Sequence, residues 1–117
     1  MPDDELEFTI GVVSQRCGVT LRALRFYEDR GLLRPRKAPN RERFYTEADV
    51  ARIEYVLQMQ RFGFTLREIE AILFGYPTGI LPRLSAQQVV PRLQKLKQQR
   101  EELDRTIDEL RALEVDP

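Results

Sequence analysis

The chain has 117 residues, with 19 bases balancing 19 acids, no histidine and a single cysteine. One cysteine excludes an intrachain disulfide. Without histidine, a nitrogen- and sulfur-ligated zinc or copper site cannot be assembled within one chain, so no metal and no other cofactor is expected. The length accommodates one small domain plus one long element, and the absence of a signal-peptide pattern or an apolar run of about 20 residues predicts a soluble, cytoplasmic protein with no membrane contact.

Neutrality conceals a segregation of charge. Residues 1–7 hold four acids and no base, an acidic N-terminal tail. Residues 14–45 hold nine bases against three acids, and residues 76–117 hold seven of each. A neutral chain with a concentrated basic third still carries a local field that attracts phosphate.

Thr9 is an N-cap for a first short helix ending at Cys17, with Ile10, Val13 and Cys17 on one face. Cys17 reads there as a small core residue. Gly18-Val19-Thr20 is a tight turn, Thr20 caps a second helix, and Gly31 ends it, where a left-handed C-cap is free of Cβ strain. A helix, a Gly-containing turn and a helix with outward arginine and aromatic residues, here Arg22, Arg25, Phe26 and Tyr27, is how a helix-turn-helix places side chains in a major groove. Leu32-Leu33-Arg34 and Arg43-Phe44-Tyr45, around Pro35, Pro39 and Asn40, predict a two-stranded wing. Arg34, Arg36, Lys37, Arg41 and Arg43 carry the cationic surface into it.

Thr46 to Asp49 opens a third helix with a capping-box pattern in which Asp stands for Glu, and Gly63 closes it. Thr65 to Glu68 is a full capping box for a fourth helix running to Gly75. Pro77, Gly79 and Pro82 mark residues 76–84 as a connector.

Val89, Leu93, Leu96, Arg100, Leu103, Ile107, Leu110 and Glu114 are then spaced alternately by four and three, the a/d signature of a coiled-coil seam. Two helix starts stand open: at Pro91 in the first turn, or at Ser85 with a kink at Pro91. From Pro91 to Leu113 the helix would reach roughly 34 Å. Its seam is too long to bury against so small a domain, so a homodimer through Leu93, Leu96, Arg100, Leu103, Ile107 and Leu110 is expected, with folding back onto its own domain as the alternative. Arg100 on the seam needs a carboxylate across the interface, and so can fix register or orientation.

The runs TIGVVSQRCGVTLRALRFYEDRGLL and RFYTEADVARIEYVLQMQRFGFTLREIEAIL, followed by the long helix, resemble the MerR family of bacterial transcription regulators. The likeness is close over Phe8–Leu73 and architectural beyond. It implies an all-α fold with a small two-stranded wing: an acidic tail over 1–7, a winged helix-turn-helix domain over 8–75, a connector over 76–84 and a dimerisation helix over 85–117 paired in an antiparallel coiled coil. The implied partners are double-stranded DNA at a palindromic promoter site, a second copy of the chain, and RNA polymerase at that promoter. Arg22 and Arg25 are then the base or groove-edge contacts, Thr20 and Tyr27 address phosphate, and Arg43 and Arg61 clamp the backbone. Such roles suit arginine, which is bidentate to guanine, and hydroxyls at element ends, which hold phosphates. Family members often activate by bending and untwisting DNA between promoter elements spaced too far apart.

Each assignment has a plainer rival. Phe26 reads as core ahead of contact, Tyr27 equally as packing against the wing, and Arg25 as a surface partner of Glu28 or Asp29. The wing departs from the family pattern, since Arg41-Glu42 stand where Gly-Tyr is usual, and Glu42 would repel phosphate. The region from Ser85 to Gln88 lacks the Cys or His of the metal sensors, and the chain stops four residues after Leu113. These features predict a small member without a metal-sensing or drug-binding region. An architectural DNA-bending protein, phage- or recombination-associated, is the alternative function, and a coiled-coil interaction module a third. Catalysis is disfavoured, because the acids are scattered and neither histidine nor an exposed cysteine is available.

Overall fold

A computed structural model describes residues 7–37 and 43–117. The acidic tail up to residue 6 and Pro39, Asn40, Arg41 and Glu42 of the expected wing lie outside the described residues. Contacts divide the chain into two compact units, Met1–Pro82 and Arg83–Pro117.

In the first unit the order is β1 (Phe8–Thr9), α1 (Ile10–Cys17), α2 (Leu21–Asp29), β2 (Arg36–Lys37), β3 (Arg43–Tyr45), α3 (Glu47–Arg61) and α4 (Leu66–Leu73). Every one of these helices starts on a threonine whose side chain accepts a backbone N–H of the first turn: Thr9, Thr20, Thr46 and Thr65. Thr46–Asp49 and Thr65–Glu68 close full capping boxes. Such caps satisfy donors that a helix start otherwise leaves unpaired.

The wing is the antiparallel pair β2–β3, and β1 adds a third strand on the other edge of β3, which the sequence did not announce. The first wing strand also falls later than expected, at Arg36–Lys37 and not at Leu32–Arg34. The backbone of Leu32 explains the shift. Its N–H closes α2 by bonding Tyr27 O while Gly31 N–H bonds Glu28 O, a Schellman motif with Gly31 at φ 79°. Its carbonyl accepts from Arg52 Nε at 2.8 Å. With both groups engaged, Leu32 has nothing to offer a ladder, and Leu32 and Leu33 serve the core instead.

α1 packs on α2 and α3, and α3 on α4. Val13, Leu24, Ile53, Val56 and Ile69 are fully buried among them, with Tyr45 of β3. Arg52 is buried as well, with Nη1 donating to Tyr76 O at 3.2 Å, so a buried charge staples the α2–β2 and post-α4 segments to α3. Burial, and then the neighbouring Arg34 charge, pull its pKa down. Cys17 is half-buried at the end of α1, where burial pushes its thiol up.

The second unit carries α5 (Ala86–Ala112), 27 residues and about 40 Å long. It starts on Ser85, in a capping box with Gln88, and Pro91 lies inside it. The earlier of the two anticipated starts is the observed one. None of its residues is buried.

Candidate nucleic-acid interface

Residues three and four apart share a helix face. On α2 that places Leu24 and Tyr27 inward and Arg22, Arg25 and Phe26 outward, the last 45 % exposed. Phe26 is thus not the core residue expected. Its neighbour Tyr27 takes the inward position, because the chain supplies two consecutive aromatics and only one fits the face of Leu24. The Arg30 guanidinium instead lies over the Phe26 ring, its Cζ 5.6 Å from the ring centroid. The four-residue spacing was the available signal for that cation–π pair.

Two groups of arginines stand out in the first unit. Arg16 grips Glu47 with two bonds, at 2.8 and 3.1 Å, and lies over the Phe8 ring. Arg30 pairs with Glu70 of α4, and Arg52 holds backbone carbonyls. These side chains are committed to the fold. Arg22, Arg25, Arg34 and Arg61 are exposed and have no hydrogen-bonded or ion-paired partner among the described residues. Arg25 in particular pairs with neither Glu28 nor Asp29. An outward arginine free of internal partners can reach a base edge or phosphate without first breaking a contact.

The remaining expected contacts are placed as follows. Thr20 caps α2 by accepting Ala23 N–H at 3.0 Å, which leaves its own hydroxyl proton to donate. Tyr27 is 6 % exposed, and its hydroxyl donates to Gln60 Oε1 at 3.2 Å, so it packs against α3 and not the wing. Arg43 is one-third exposed, with Nε 3.5 Å from Glu28 Oε1. Arg61 shares no bond with α2; it lines a hollow of about 490 Å³ with Arg16, Cys17, Glu54, Tyr55 and Leu81. Glu28 is the residue that sequence reasoning missed. It also accepts from the Tyr45 hydroxyl, and no local pattern reveals a contact between residues 17 apart in sequence. On α5, Leu93, Leu96, Leu103, Ile107 and Leu110 are all exposed.

Among the described residues no group of three or more His, Cys, Asp or Glu side chains is placed to hold a metal ion, and no helix is long and apolar enough to cross a membrane. A helix-turn-helix with a short wing, an arginine-bearing outward face on its second helix and a long apolar-striped helix defines a class of regulatory proteins, not of enzymes. The pattern described as MerR HTH family regulatory protein matches residues 8–75, and that described as MerR, DNA binding matches residues 50–116. The chain belongs to the MerR family. It is 47 % identical over 66 residues to the mercuric resistance operon regulatory protein of Shigella flexneri, a match covering 56 % of this chain and 46 % of that protein. The chain therefore aligns with about half the length of that relative. Among solved structures, a MerR-family transcriptional regulator from Bacillus cereus superposes with a TM-score of 0.72 at 24 % identity, over 92 % of this chain and 79 % of that one. HiNmlR, a MerR family regulator lacking the sensor domain and bound to promoter DNA, superposes with a TM-score of 0.54 at 20 % identity, over 92 % and 77 %. At those identities the likeness is one of fold.

Proposed function

We propose that this protein is a homodimeric, cytoplasmic transcription regulator that reads a palindromic promoter site and distorts the DNA between its half-sites. The observation that carries the reading is the outward face of α2, where Arg22 and Arg25 stand exposed and unpaired among the described residues. Thr20 at the start of α2 and Arg43 of the wing, beside Glu28 of the same helix, add groups suited to phosphate. The exposed seam of α5 supplies the dimer: paired antiparallel with a second copy, it buries Leu93, Leu96, Leu103, Ile107 and Leu110 and sets Arg100 against a carboxylate of the partner. A two-fold dimer presents two reading heads, hence an inverted repeat. RNA polymerase at the same promoter is the further partner. The DNA-bound fold neighbour supports this reading.

The test is chromatin immunoprecipitation with sequencing in the native cells, followed by footprinting of the strongest site. A single inverted repeat lying between two promoter elements is the expected result. Diffuse, promoter-independent occupancy would replace the regulator by an architectural DNA-bending protein, and no enrichment would leave an interaction module.

A further inference from the structure

Of the two carboxylates on α2, Asp29 is exposed while the Glu28 side chain is only 10 % exposed. Glu28 accepts from the Tyr45 hydroxyl and sits 3.5 Å from Arg43 Nε. Both partners belong to β3 and stand two residues apart, on the same side of the strand. Tyr45 is fully buried, so its phenol is a fixed donor; burial, and then the bond to Glu28, push its pKa up and keep it protonated. One carboxylate on the recognition helix therefore holds two side chains of the wing strand.

We infer that Glu28 is a positioning residue for DNA readout: it seats wing Arg43 relative to Arg22 and Arg25, so that wing and recognition helix engage the duplex as one body. The inference rests on the DNA-binding reading above. The Arg43–Glu28 pair, 3.5 Å apart at Nε, need not break for another guanidinium donor to reach a phosphate. The restraint gives up in advance part of the rotamer freedom that clamping would otherwise cost. A bond to the helix, moreover, passes any displacement of α2 directly to the wing.

The experiment is a double-mutant cycle on the full chain, with the duplex footprinted for the wild type. Glutamine at position 28 still accepts from Tyr45 but has no charge to hold Arg43. Arg43→Gln in the wild-type background should weaken binding about fivefold near physiological salt, the worth of one released counterion. In the Glu28→Gln background the same change should cost less than about twofold, while the effect of Arg22→Ala stays equal in both. Additive effects, or no effect of Arg43→Gln in the wild type, would overturn the role of Glu28. If Glu28→Gln fails to fold, Glu28→Asp replaces it, keeping the charge and shortening the reach; the same collapse of the Arg43 effect is expected, and additivity again refutes. A wild type that binds no duplex refutes the DNA-binding reading itself, a result distinct from binding with additive effects.

Discussion

In the unit Met1–Pro82, Val13, Leu24, Ile53, Val56 and Ile69 are 0 % exposed, whereas Leu93, Leu96, Leu103, Ile107 and Leu110 of α5 range from 39 % at Ile107 to 70 % at Leu110. The two regions use similar apolar residues and the same kind of N-cap. They differ in how their apolar positions can meet. Four short helices and a small sheet turn their apolar faces toward one another and close a core within some 75 residues. A single helix of about 40 Å carries one narrow stripe, and one helix by itself has no second element with which to enclose it. The first unit closes a core of its own, and the second leaves its apolar positions exposed.

The sharpest way to break this contrast is Leu103→Asp. A carboxylate in the centre of a buried seam should cost about 3 kcal/mol or more per dimer and leave monomers in sedimentation equilibrium; a mutant still sized as a dimer would refute the seam. Next in size is Ile53→Ala in α3. It should destabilise the first unit by about 2–5 kcal/mol in denaturant unfolding, without changing the mass measured under native conditions. A stability loss much below that range would mean that α3 is not central to the core.

Arg22→Ala should cost about 1–3 kcal/mol at the cognate site and relax base preference there, with unfolding unchanged. Unaltered affinity in a gel-shift titration would remove Arg22 from the readout. The smallest effect concerns alkaline stability. The Tyr45 phenol lies above its ordinary value of 10.0 in the folded protein, because burial first and Glu28 second disfavour its ionisation. The unfolded chain therefore loses this proton at lower pH than the folded one. The associated stability is fully present below about pH 10 and falls as pH rises through the folded value. Tyr45→Phe should flatten that alkaline limb of the unfolding midpoint against pH, and an unchanged limb would show that Tyr45 is not the group responsible.

Much of the fold was legible because its signals are local. Threonines before apolar-periodic runs, glycines after them and a 4-3 repeat each act within a few residues, and the four threonine caps fall where the sequence put them. The outward face of α2 was legible in part: the sequence turned Arg22 and Arg25 outward, yet it put Phe26 in the core, where the structure places Tyr27. The lone polar bridges were not legible. Arg16–Glu47 and Arg30–Glu70 join residues 31 and 40 positions apart, and any of several nearby acids would have served as well on paper.

The amino-acid sequence by itself determined the helices, their caps, the outward arginines of α2 and the exposed apolar stripe of α5, because each follows from spacing along the chain. Only the tertiary structure decided that β1 joins the wing, that β2 begins at Arg36, that Arg52 is spent inside the fold, and that Glu28 belongs to the wing as much as to its own helix. These outcomes depend on which backbone carbonyls and side chains meet once the core has closed. A buried donor or charge takes the partner that the packing brings within reach, and distance along the chain carries no information about that.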